Sequence, residues 1–327
     1  MSRLRLLFDN FTLILIAIVV AATLFPAHGQ GAFIFERITS LAIALLFFLH
    51  GAKLSRPAIV AGATHWRLHL MVFASTFIMF PCIAYALKPV LEPLLGEPLY
   101  VGVIYLCVLP GTVQSAIAFT AIARGNIPAA VCSASASSLI GIGLTPLLLS
   151  LFLKTDAGAA STVDAIANIS VQILLPFLAG HFLRPWIGNW VDRNRFRLAN
   201  VDQTSILLVV YTAFSASVTG GLWQTVPVTS LLILTVVCCA LLALVLYATT
   251  SLARHFQFNT EDEITIVFCG SKKSMATGVP MAQVLFNSSA IGPALLPLII
   301  FHQIQLMVCV VLAQNYLRRR ASATSAA

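Results

Sequence analysis

One kind of segment recurs along this chain and constrains it more than anything else. From Phe11 to Asn315, apolar runs of membrane-spanning length follow one another, parted by short charged turns. About 20 apolar residues in a helix cover the ~30 Å hydrocarbon layer of a bilayer. Ten such spans are expected, at about Phe11–Ala27, Ile38–Leu54, His69–Leu87, Leu99–Ala123, Ile127–Leu153, Ala165–Leu183, Thr204–Leu222, Val228–Leu252, Ile264–Leu285 and Ile291–Asn315. Charged residues are only 9% of the chain, against ~25% in soluble domains, and mean hydropathy is +0.95. The fold class is therefore all-α integral membrane. Arg3 and Arg5 before the first run resemble a signal peptide, with Ala27-His28-Gly29 as a poor cleavage site, but the many spans that follow favour an uncleaved first helix.

The net charge of +8 sits in the turns, so it speaks for orientation in a membrane and not for nucleic acid. With a cytoplasmic N-terminus, 14 of the 19 basic residues fall inside, only Arg37, Lys88 and Lys154 fall outside, and Lys272 and Lys273 lie within a span. Both termini are thus expected in the cytoplasm, and the small loops suit a bacterial inner membrane. The seven cysteines all lie in apolar runs and form no C-x-x-C pair, so neither a disulfide framework nor a zinc site is indicated.

Two spans are interrupted. The fourth contains Pro110-Gly111-Thr112-Val113-Gln114-Ser115, where proline removes a donor and the adjacent glycine eases unwinding. The ninth contains Cys269-Gly270-Ser271-Lys272-Lys273-Ser274-Met275-Ala276-Thr277-Gly278-Val279-Pro280. A lysine at bilayer mid-depth costs roughly 2.5–3.5 kcal/mol on insertion scales. Adjacent residues of an intact helix point ~100° apart, so two lysines could not share one narrow polar site. Gly270, Gly278 and Pro280 predict an unwound segment, which is tolerated at that depth only where it lines a site. The other reading is a helix that starts late, with both lysines snorkelling to an interface. The fifth span carries Ser133, Ser137 and further small residues, which suit close packing or a cavity equally. The interrupted spans stand fourth in each of two sets of five. Five is odd, so the second set inserts upside down, and paired broken helices in inverted halves point to a binding site at their crossing. The segment Lys154 to Asp164 divides the halves, giving residues 1–160 and 161–327 as the two repeats.

Leu109-Pro110-Gly111, Gln114-Ser115, Ala123-Arg124-Gly125-Asn126 and Thr277-Gly278 resemble the bile acid:sodium symporter superfamily. Cys269-Gly270-Ser271-Lys272-Lys273-Ser274 resembles its divergent bile-acid-symporter-like (SBF-like) branch. The resemblance implies ten helices in two inverted repeats. Spans 1, 2, 6 and 7 would form a panel, spans 3–5 and 8–10 a core, and the unwound parts of spans 4 and 9 would cross at mid-membrane. It implies a secondary active transporter working by alternating access, with two sodium sites at the crossing and organic anions between panel and core. Carried over by position, Gln114 and Ser115 match the sodium ligands of span 4. Ser75 or Thr76 falls near a ligand of span 3, and Ser133 and Ser137 lie beside the ligand positions of span 5, which strict alignment gives to Ala130 and Ala134. The ninth span departs from the pattern. Sodium-coupled members carry a glutamate there, and Lys272 to Pro280 contains no acid. A hard cation prefers oxygen ligands that include a carboxylate.

The candidate substrate- or ion-binding residues are thus Ser75, Thr76, Thr112, Gln114, Ser115, Ser133, Ser137, Ser271, Lys272, Lys273, Ser274 and Thr277. Three roles for the lysines stay open: a fixed surrogate for the ion, a group that releases its proton and couples transport to protons, or a direct partner of an anionic substrate. Sodium or a proton is accordingly the possible coupling ion, and no organic cofactor is implied. His50 and His302 lie within spans, where an interhelical hydrogen bond or a proton relay is conceivable. An intramembrane enzyme finds no support, since H-E-x-x-H, G-x-S-x-G and paired aspartates are missing from the sequence. The alternative function is a non-transporting membrane regulator of ion homeostasis, in which the polar residues of both broken spans would tolerate substitution.

Overall fold

A computed structural model describes residues 10–53, 65–152 and 159–325, and every regular element among them is a helix. In chain order these are α1 (Asn10–Leu24), α2 (Gly29–Lys53), α3 (Trp66–Ala86), α4 (Lys88–Leu95), α5 (Glu97–Val108), α6 (Gln114–Ile122) and α7 (Ile127–Phe152). Then follow α8 (Ala159–Arg193), α9 (Arg195–Thr219), the single turn α10 (Leu222–Thr225), α11 (Val228–His255), α12 (Thr260–Gly270), α13 (Met275–Leu285) and α14 (Ser288–Ser325). Among the described residues six helices are long and apolar enough to cross a bilayer: α2, α3, α7, α9, α11 and Ala290–Arg319 of α14. The chain is an integral membrane protein. The fourth and ninth expected spans are each two short helices, α5 with α6 and α12 with α13.

Two expected connections differ. The charged stretch from Arg184 to Asp202 is helical throughout except for Asn194, which alone joins α8 to α9. Hydropathy marks where the lipid ends, and a helix continues past that point wherever its backbone bonds are kept. In the Lys154–Asp164 segment, residues 154–158 lie outside the described residues, and the backbone is already helical from Ala159.

The helices sort into two groups. In the first, α2 and α8 cross at Gly51 and Gly180. A Cβ on either would come within 1.9 Å of the carbonyl oxygen of Phe177 or Phe48, so only glycine permits this approach. α9 lies against α1 and α2, with Thr39 and Thr212 sharing a buried 2.8 Å hydrogen bond. In the second group α5 packs on α14, α11 on α12 and α14, and α3 on α12. The two groups also meet, α9 packing on α13 and α14 and α7 on α8.

The turn after α6 ties the two broken spans together. The Asn126 backbone N–H donates to Glu261 O (3.1 Å) and Thr265 Oγ1 (3.0 Å), and its side chain donates to Asp262 Oδ1 (2.9 Å). Buried Glu263 accepts two bonds from Arg254 (3.0 and 3.1 Å) and one from Tyr316 (2.9 Å). The end of α6 and the start of α12 are thereby fixed, and their far ends meet at the breaks.

Candidate functional site

α5 ends because Pro110 cannot donate back to the helix, and Leu109 before it is extended (ψ 152°). A helix end leaves orphan carbonyls, which must find partners at this depth. They do. Thr145 Oγ1 donates to Val108 O (2.9 Å), the Ser274 N–H to Pro110 O (2.9 Å), and Lys273 Nζ to both Cys107 O (2.6 Å) and Leu109 O (2.8 Å). The Gly111 N–H goes to Ser137 Oγ (3.0 Å). The helix resumes at Gln114, so Gln114 and Ser115 belong to the first turn of α6 and not to the unwound stretch.

The ninth span opens at residues 271–274. Gly278 and Pro280, expected to help unwind it, lie inside α13. Gly278 is instead a point of close packing, where a Cβ would come within 2.5 Å of Leu109. The opening is held by competing bonds. The Gln305 side chain accepts from Lys273 N–H (2.9 Å) and donates to Lys273 O (3.0 Å), replacing two helical hydrogen bonds. Ser274 caps α13, accepting from Thr277 N–H (3.2 Å).

The two lysines leave the break in different directions, and both are fully buried (0% exposed), which rules out snorkelling. Lys272 Nζ donates to Ser115 O (3.0 Å) and sits over the rings of Phe119 (3.8 Å) and Phe268 (5.4 Å). Lys273 Nζ lies over Phe80 (4.2 Å) and makes three bonds, to Cys107 O, Leu109 O and Thr76 O (2.7 Å). The third acceptor has a local cause. Residues Ser75–Met79 of α3 form a π-helical turn, in which Phe80 N–H bonds back five residues to Ser75 O. The next donor in that register would be residue 81, which is proline, so Thr76 O is left for the lysine.

A cavity of about 360 Å³ lies between the two helix groups. One wall carries Thr112, Gln114, Ser115, Ser274 and Thr277, the N-terminal ends of α6 and α13. The other carries His50, Lys53, Asp202 and Gln203 of α2 and α9. The candidate residues therefore divide. These five line the cavity, while Ser271, Lys272 and Lys273 lie behind its wall. Ser75, Thr76 and Ser271 turn their hydroxyls onto their own helices, to Met71 O, Val72 O and Val267 O. Ser133 bonds to His69 (2.6 Å) and Ser137 supports Gly111. Neither lysine head group reaches the cavity.

Sequence reasoning missed Gln305, Lys53, Asp202 and Gln203. A glutamine in an apolar span signals a buried bond without naming its partner. Asp202 falls between two expected spans, where a charge is ordinary and signals nothing.

The profile of the SBF-like CPA transporter family matches residues 9–318. The chain belongs to that family. It is 64% identical over 326 residues to an uncharacterized protein of Pseudomonas aeruginosa, covering 100% of this chain and 98% of that protein. It is 57% identical over 323 residues, 98% of this chain and 96% of the relative, to the Escherichia coli protein named "Putative symporter YfeH". Sodium/bile acid cotransporter 7 of Rattus norvegicus is 27% identical over 300 residues, 90% of this chain and 88% of the relative. The resemblance read from the broken spans holds at the level of the family. This member of the SBF-like family is a transporter of the bile acid:sodium symporter type, working on a small molecule in a lipid bilayer.

Proposed function

We propose that this protein moves a small organic anion by alternating access of the cavity between panel and core, without sodium. It does so from a bacterial inner membrane with both termini in the cytoplasm, its two five-helix halves being inverted repeats. The observation that carries this reading is the sorting of the helix ends at the breaks. The C-terminal end of α5, with its partial negative charge, holds the Lys273 ammonium, and the N-terminal ends of α6 and α13 border the cavity. Half-helix N-termini favour anionic cargo and C-terminal ends hold cations. Three acceptors match the three N–H groups of an ammonium, which supports a positive charge held where the resemblance implies an ion site. Of the three roles open to the lysines, the fixed surrogate fits this geometry. Direct pairing with substrate does not, because both lysines lie behind the wall.

The test compares thermal stability in sodium and choline chloride at equal ionic strength. The wild type melts at the same temperature in both. Lys273→Ala melts lower, because three buried carbonyls lose their donor, and sodium alone raises it again by occupying them. A cation at 100 times its Kd restores about 2.7 kcal/mol. Sodium-specific stabilisation of the wild type would overturn the surrogate role.

A further inference from the structure

The panel wall of the cavity is not apolar. Lys53, the last residue of α2, is ion-paired with Asp202 in the second turn of α9, and both line the cavity with His50 and Gln203. The Asp202 residue is 8% exposed, and its Oδ1 is buried without a hydrogen-bond partner among the described residues. A carboxylate offers about four acceptor sites, and one bond to Lys53 leaves Oδ1 unsatisfied in a place where that is unfavourable. The Lys53 side chain is 28% exposed, so its ammonium keeps donors to offer. The pair is thus an adjacent donor and acceptor facing a wall of neutral hydroxyls and helix N-termini. Phe47 of α2, Phe177 of α8, Ile206 of α9 and Ile142 of α7 add apolar surface to the lining.

We propose that Lys53 and Asp202 form the charged pole of the substrate site. The cargo would be an organic acid with an apolar body and a separate hydrogen-bond donor, an ammonium or a hydroxyl group. The inference rests on the organic-anion reading above for the acid group and adds the donor, which in its ammonium form makes the cargo a zwitterion. The acid group takes Lys53 and the donor takes the Asp202 oxygen that Lys53 then gives up, each replacing part of the resting ion pair. The apolar body lies along Phe47 and Phe177. A cavity of about 360 Å³ holds on the order of a dozen non-hydrogen atoms, taking ~30 Å³ for each as in liquid water.

The probes are three acids of one shape: 3-phenylpropanoate, 3-phenyllactate and phenylalanine. They differ only in carrying no donor, a hydroxyl or an ammonium. Thermal-shift titration of the purified full-length protein gives an apparent Kd for each. The wild type should bind at least one donor-bearing acid about tenfold or more tightly than 3-phenylpropanoate. Asp202→Asn should abolish that preference and, because it releases Lys53 from its charged partner, should tighten 3-phenylpropanoate. Should Asp202→Asn prove unstable, the double variant Lys53→Met/Asp202→Leu removes both charges together and should stay folded while weakening all three acids. Equal binding of the three acids, or a preference that survives Asp202→Asn, would overturn the role of the pair and leave the organic-anion reading standing. Failure of all three to bind would overturn the pair and the apolar-bodied acid together.

Discussion

At the scale of single residues, the site depends on groups that satisfy backbone rather than on groups that reach a ligand. Gln305→Leu removes the partners of both the Lys273 N–H and C=O, and two buried groups at ~1–3 kcal/mol each put the expected loss at roughly 2–6 kcal/mol. Chemical denaturation of the purified variant checks this. The lysines should differ. Lys272→Met gives up one bond and keeps an apolar chain between Phe119 and Phe268, so it should melt well above Lys273→Met, which strands three carbonyls. Equal melting of the two would contradict their different surroundings. The lysines were legible in the sequence because a charge in an apolar run has few explanations. The hydroxyls were legible as polar atoms, but the partners they take were not. A serine or threonine hydroxyl in a helix turns back to a carbonyl one turn earlier, as at Ser75 and Thr76. It is the Thr76 carbonyl that serves Lys273, and a carbonyl belongs to every residue type, so no letter announces it.

At the scale of elements, the two breaks have different origins. The first is written in the chain, since Pro110 must end α5. The second is made by partners, the Gln305 amide and the Pro110 carbonyl, so its position could not be read from Gly278 and Pro280, which stay helical. The π-turn of α3 was equally hidden, since Pro81 reads as an ordinary kink until the register around it is known. Pro81→Ala would supply an N–H in line with Thr76 O and compete with the lysine. Transport should fall severalfold while the melting temperature holds or rises, and normal transport would mean that the third bond of Lys273 is dispensable. For the panel, Gly180→Leu should prevent the crossing of α2 and α8 and sharply reduce the folded yield, measured by size-exclusion chromatography.

At the scale of the whole molecule, the all-helical membrane fold and the two interrupted spans follow from apolar length and from Pro110-Gly111 and the paired lysines. The continuity of α8 and α9 does not, because charge says nothing about helicity outside the lipid. Alternating access makes one prediction that the alternative of a silent regulator does not share. Gln203→Cys on α9 and Ser138→Cys on α7 stand on opposite walls of the cavity. In a background without native cysteines, a reducible bifunctional thiol reagent across them should stop transport, and reductant should restore it. The three-carbonyl seat of Lys273 bears on energetics as well. A side chain cannot be set down on the far side of the membrane, and a complete cycle brings its charge back to where it began. On the surrogate reading, the only net current is that of the cargo. With the cell interior negative, a monovalent anion leaving gains ~2.3 kcal/mol per 100 mV. Voltage alone would thus drive such an anion outward, whereas a zwitterion would be indifferent to it.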